Sequence, residues 1–207
     1  HYPLRAVGIL IVIILVIIAV FVSRSRMRQQ HTAIVQHMAY TDARYNLPNI
    51  AWLEEDAPQK LKGLDESEKA YVAVFAMERK AALTLPYGKE LLVKQLQKMA
   101  EQLSHMDWVL STAAGSDAGS LICVVKGRSE AEVSRLVEGA AAKYGYAETA
   151  EARVWLHMRA GICALEAKSI MDKASWIDYF HSAIESAITA CQETSGATGG
   201  VRIFDAQ

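Results

Sequence analysis

The 207-residue sequence is poor in the residues that staple or punctuate a chain, with three cysteines and four prolines. Cys123, Cys163 and Cys191 are odd in number, far apart and set among apolar neighbours. That pattern excludes a disulfide framework and fits buried, reduced thiols. Charge of one sign is equally scarce: 22 Lys and Arg against 23 Asp and Glu leave a formal net charge of -1. Without a basic excess there is no bulk electrostatic grip for nucleic acid, so direct nucleic-acid binding is not expected. The chain has no GxxxxGK loop, no GxGxxG and no GxSxG, the turn signatures of common nucleotide and acyl-transfer sites. It has no HExxH either. His31 and His37 lie six apart, off a shared helical face, while His105, His157 and His181 stand singly. Glu54, Glu55 and Asp56 are consecutive and would fan around a helix instead of sharing one site. The expectation is no catalytic residues, no metal ligands and no cofactor.

What is present begins with a long apolar run. Ala6 to Ser23 carries no charge and no proline. As a helix it would span roughly 27 Å, close to the hydrocarbon core of a bilayer. Inside lipid the backbone must satisfy its own hydrogen bonds, which overrides the weak helix propensity of Ile and Val. A cleaved signal peptide would have a shorter apolar core followed by small residues; here Arg24, Arg26 and Arg28 follow directly. Three arginines against the single Arg5 place the remainder of the chain on the cytoplasmic side, as a single-pass protein of the inner (plasma) membrane with lipid headgroups at the basic flank. The expected divisions are an anchor over 1–30, a stalk and linker over 31–64, a folded domain over 65–194 and a tail over 195–207.

The folded part reads as helical. Asp65 with Glu68 and Ser129 with Glu132 have capping-box spacing. Tyr71, Val74, Phe75 and Leu83 supply an apolar face up to Pro86. Leu91, Leu92, Leu96, Met99 and Leu103 follow i, i+3 and i+4 spacing, and His105 to Ala114 reads as a short buried helix. Ala113 to Ser120 is a loop. Leu121 to Val125 resembles a strand but has no evident partner, so it is read as helix or irregular. Thr149 to Leu165 reads as a helix with Val154, Trp155, Met158, Ile162 and Leu165 on one side. Asp172 caps a last helix whose face carries Trp176, Ile177, Phe180, Ile184 and Ile188. The expected fold class is therefore all-α, one transmembrane helix followed by a multi-helix domain packed around Trp108, Trp155 and Trp176. Beyond the glycine-rich SGATGG, Val201, Ile203 and Phe204 form a short apolar peptide suited either to folding back or to docking on a neighbour. Trp52 in the linker is a further candidate for partner docking.

Tyr71–Ala76 (YVAVFA) and Tyr146–Ile162 (YAETAEARVWLHMRAGI) resemble the cytoplasmic domain of DotM/TrbA-type subunits of type IVB secretion and IncI conjugation systems. Phe75, Tyr146, Thr149, Arg159 and Gly161 stand at comparable places. That family's tryptophan-leucine-lysine segment and Asp-Arg pair are absent, with Met171, Asp172 and Trp176 standing in only partly. The resemblance implies a non-enzymatic subunit that helps a coupling ATPase receive its substrates. The expected function is thus a membrane-anchored adaptor whose partners are other protein subunits of a membrane complex. Two alternatives stand beside it. One is a membrane-bound enzyme or cofactor protein using residues such as His105, Asp107 and His157. The other is an accessory subunit of an energy-transducing complex.

Overall fold

A computed structural model of the chain describes residues 38–77, 88–148, 153–166, 172–194 and 201–204. The chain divides into His1–Ala39 and Tyr40–Gln207, and the fold is that of the second unit. The apolar run Ala6–Ser23 and Arg24, Arg26 and Arg28 lie outside the described residues. Among the described residues no helix is long and apolar enough to cross a membrane.

The all-α expectation is overturned. Five strands form one mixed sheet in the order β4-β5-β3-β8-β9. They are β3 (Lys69–Met77), β4 (Val109–Ala114), β5 (Ser120–Gly127), β8 (Met158–Leu165) and β9 (Val201–Ile203). Among the described residues, four helices cover the sheet: α1 (Ile50–Leu61), α2 (Gly88–Ser104), α3 (Glu130–Tyr144) and α4 (Lys173–Glu193). Two small hairpins complete the described fold, β1 (Thr41–Asp42) with β2 (Leu47–Pro48), and β6 (Tyr146–Glu148) with β7 (Arg153–Trp155).

Strand β3 is the centre of the sheet. It pairs antiparallel with β5 from Lys69↔Gly127 to Ala76↔Ser120, and with β8 from Ala70↔Leu165 to Met77↔Met158. Both faces of β3 are covered, and this sorts its side chains by parity. Tyr71, Ala73 and Phe75 join Leu121, Cys123, Val125, Ala160 and Ile162 in a core with α2 and α3. Ala70, Val72 and Val74 join Ile122, Val124 and Leu165 in a second core with α1 and α4, around the stacked rings of Trp176 and Phe180. A strand buried on both sides needs no polar alternation, so it reads as a continuous apolar run. That is why Tyr71–Phe75 and Leu121–Val125 lacked the period-two signature.

Other expectations are corrected with it. Asp65 and Glu68 form a turn, Glu68 N donating to Asp65 O at 3.0 Å, that leads into β3 and caps no helix. His105–Ala114 is a turn followed by β4, and the described part of Thr149–Leu165 holds strands β7 and β8, which belong to different sheets. Trp176 is buried at 2% exposure, but Trp155 is 60% exposed on β7 and belongs to no core. Helix α2 and helix α4 follow the expected apolar faces. Ser129 caps α3 by accepting from Glu132 N at 3.2 Å, and Asp172 caps α4 by accepting from Ser175 N at 2.9 Å.

Candidate functional site

The strand ends above the α4 face leave a cleft. Register places Ser120, Ala76 and Arg159 in one row across β5, β3 and β8. Directly opposed residues point to the same side of a sheet, and the next residues inward on that side are Ile122, Val74 and Gly161. The small side chain of Ala76 between two polar neighbours opens the row. Ile188, Cys191 and Gln192 from the last turns of α4 form the facing wall. The resulting cleft, about 660 Å³, is roofed by the β4–β5 turn Gly115–Ser116–Asp117–Ala118 and also lined by Met77. That volume is in the ordinary range for a small-molecule site.

The turn is held tightly. Gly115 N donates to Ser120 O at 3.0 Å, Ser120 N to Asp117 O at 3.2 Å, and Ser120 Oγ to Asp117 O at 2.6 Å. A β-carbon on Gly115 would collide with the Ser120 side chain, whose Cβ would lie 3.0 Å away. Gly119 has φ +84°, the left-handed region that favours glycine. Its carbonyl accepts from Met77 N at 3.0 Å, which ties the turn to the end of β3.

The first hairpin grips the turn from outside. Arg44 Nη1 donates to Ser116 O at 2.9 Å and Nη2 to Gly115 O at 2.8 Å. The same guanidinium donates to both carboxylate oxygens of Asp42, Nη2 reaching Oδ2 at 2.7 Å. That hydrogen bonding raises the Arg44 pKa. Burial alone would push Asp42 up, but the Arg44 hydrogen bonds and charge outweigh it and hold the carboxyl below its ordinary value. The Tyr45 hydroxyl accepts from Gly119 N at 2.7 Å.

Among the described residues, two charged side chains bear on the cleft. Asp117 is exposed on the turn. Arg159 is partly buried, and its Nε is buried without a hydrogen-bond partner. A desolvated, unpaired N–H is costly unless something completes it, so this edge of Arg159 is suited to an acceptor such as a phosphate or carbonyl oxygen. Burial pushes the neighbouring Cys191 thiol up to about 11, with the Arg159 charge opposing.

None of these groups was a sequence candidate. In the sequence Arg159 stands out only through a resemblance, and Ala113–Ser120 reads only as a loop. The available signal was a glycine-rich turn between two apolar β-type runs, a hairpin pattern. The residues that were candidates lie elsewhere. Trp52 is half-buried against the α1–α4 core. Val201 and Ile203 pair parallel to Ala160 and Ile162 of β8, and Phe204 N donates to Ile162 O at 2.7 Å, so this peptide lies on its own sheet. His105 and Asp107 are exposed after α2, and His157 sits at the β7–β8 turn with φ 43°. His181 contacts Glu54 Oε1 at 2.6 Å. Among the described residues no three His, Cys, Asp or Glu side chains converge as a metal site.

No protein-family model and no curated protein sequence matches the chain. Solved structures do. The coiled coil and GGDEF domain of DgcB from Caulobacter crescentus, in complex with c-di-GMP, is similar with a TM-score of 0.65 at 13% identity, over 90% of this chain and 96% of that one. The GGDEF domain of PA1120 (TpbB or YfiN) from Pseudomonas aeruginosa gives 0.57 at 18% identity, over 80% and 94%. The diguanylate cyclase SiaD of Pseudomonas aeruginosa, in complex with its activator SiaC, gives 0.54 at 11% identity, over 87% and 67%. At these identities the likeness shows the fold, which is that of GGDEF domains. It overturns the DotM/TrbA resemblance and, with it, the expectation of a non-enzymatic secretion or conjugation adaptor, since the proteins of this fold include diguanylate cyclases. SiaD with SiaC also shows that a protein of this fold engages a protein partner.

Proposed function

We propose that this domain handles a guanine nucleotide of the cyclic-di-GMP system, GTP or c-di-GMP, in the cleft beneath the Gly115–Gly119 turn. The observation that carries the reading is the coincidence of a GGDEF-domain fold with a cleft at the β4–β5 hairpin lined by Arg159, whose buried Nε has no hydrogen-bond partner. A guanidinium matches a phosphate, or guanine O6 and N7, in two-point geometry. The Asp117 carboxylate can accept from the amino edge of guanine. The β4–β5 turn is rigidly tied to Ser120, Met77, Arg44 and Tyr45 and would present these groups with little reorganisation.

Read as residues, the letters G-G-D-E-F do not occur in succession in this chain. The groups that would meet the nucleotide are therefore its own: Ser116, Asp117, Arg159 and Gln192.

The test is calorimetric titration of the full chain with GTP and with c-di-GMP, alongside an assay for c-di-GMP formed from GTP. Binding of either nucleotide that falls at least tenfold in Arg159→Ala supports the reading. No binding of either at millimolar concentration overturns it. Ala6–Ser23 and the Arg24, Arg26 and Arg28 flank support a further proposal, that the domain works at the cytoplasmic face of the inner membrane. Flotation of the Ile13→Lys, Ile14→Lys double variant with vesicles would count against Ala6–Ser23 as what holds it there.

A further inference from the structure

The turn that roofs the cleft is held from two directions. From inside, its own strands close it through Gly115 and Ser120. From outside, it is held by a segment some seventy residues earlier in the chain, through contacts of an uncommon kind. Arg44 spends two guanidinium nitrogens on the backbone carbonyls of Ser116 and Gly115 while chelating Asp42. Tyr45, only 6% exposed, places its hydroxyl under Gly119 N. The segment is itself braced: Gln97 Nε2 of α2 donates to Tyr45 O at 2.7 Å, and Asn46, with φ 52°, turns the chain back by donating from its N to Asp42 O at 2.8 Å. The charged and phenolic heads thus reach backbone atoms of the Gly115–Gly119 turn and add an outer hold to the bonds that its own strands supply.

We infer that Arg44 and Tyr45 are positioning residues for the cleft, setting where the Ser116–Ala118 turn stands and so how tightly the site holds its ligand. The inference rests on the nucleotide reading above. It makes nucleotide affinity depend on whether the Thr41–Pro48 hairpin is docked, so that displacing this hairpin loosens the site without touching a residue that lines it.

The experiment uses the full chain with Tyr45→Phe, which keeps the buried ring and removes only the hydroxyl, and Arg44→Lys, which keeps the charge but loses the two-carbonyl fork. GTP and c-di-GMP are titrated, and backbone hydrogen exchange is followed. The expected result is a five- to tenfold loss of nucleotide affinity in either variant, about the worth of one to two hydrogen bonds. Exchange should quicken at Ser116–Gly119, with the β3–β5 amides unchanged. A merely structural role would loosen the strand amides as well. Unchanged affinity in both variants, with a wild-type chain that binds, overturns the inference. If the wild-type chain binds neither nucleotide, the functional reading fails by itself. Exchange at Ser116–Ala118, whose amides do not bond Tyr45, then decides the positioning role: faster in Tyr45→Phe supports it, and unchanged overturns it.

Discussion

Replacing Gly161 with alanine should be among the most damaging single-methyl additions in this domain. Gly161 lies on β8 where α4 crosses it. A β-carbon there would fall well inside contact distance of the Ala187 carbonyl oxygen and the Cys191 amide nitrogen, and 3.0 Å from Cys191 Cα. All three obstructing atoms are helix backbone, so no side-chain rotation relieves the clash. Carbon atoms want about 3.5–4.0 Å of separation, and the relief available is to lift α4 off the sheet by the order of 1 Å. That movement would strip contact from Trp176, Phe180 and Ile184, which are buried by the same helix; a gap of 0.5–1 Å forfeits roughly a quarter to a half of each contact's attraction. Overpacking usually costs about 1–3 kcal/mol. With backbone on both sides we place Gly161→Ala at the top of that range, about 3 kcal/mol. For a domain of this size that is roughly a 6–12 °C fall in Tm. The control is Gly139→Ala on α3, where nothing lies within 4 Å of the added carbon. There the loss of glycine's unfolded-state freedom should stabilise by about 0.5–1 kcal/mol. Urea unfolding of the two variants reads both effects. A Gly161→Ala midpoint equal to wild type would refute the close seating of α4 on β8.

Ser129→Ala removes the cap that accepts from Glu132 N and should cost about 1 kcal/mol, readable as a lower urea midpoint with an unchanged slope. Burial pushes Cys123 from 9.0 to about 12 and Cys191 from 9.0 to about 11. Folding therefore favours the protonated thiols: their contribution to stability is full below about pH 9 and is lost as pH rises through 11 to 12. A thiol reagent at about pH 8 should leave both unmodified until the chain unfolds; rapid labelling of Cys123 in the native protein would contradict its burial.

The helices were legible where one face is wet. In α4 the spacing of Trp176, Phe180 and Ile184, with Asp172 before it, named both the face and the cap. The strands were not, because covering the sheet on two sides removes the alternation that marks a strand. Val72 and Tyr71 are both buried, against α1–α4 and α2–α3 respectively. Leu121–Val125 has no evident partner in the sequence because its partners, 69–76 and 109–114, themselves read as helix through the same ambiguity. One missed strand thus removed the evidence for the next. The cleft was invisible for a related reason. Arg159 and Ser120 are 39 residues apart and fall into one row only through their shared register with Ala76 between them. Arg44 falls in the stretch expected to be stalk and linker, and the turn it holds is 71 residues further along the chain.

The central position of β3 has a consequence for how the chain must assemble. Its two neighbours come from residues 120–127 and 158–165, so the strand emerges early in synthesis and waits for both. Until β8 is made, β3 presents an apolar edge with unsatisfied backbone groups, the kind of surface that recruits other chains. Truncation between α3 and β8 should therefore yield aggregates in place of a smaller folded domain, and refolding should be governed by the slow search for distant pairings.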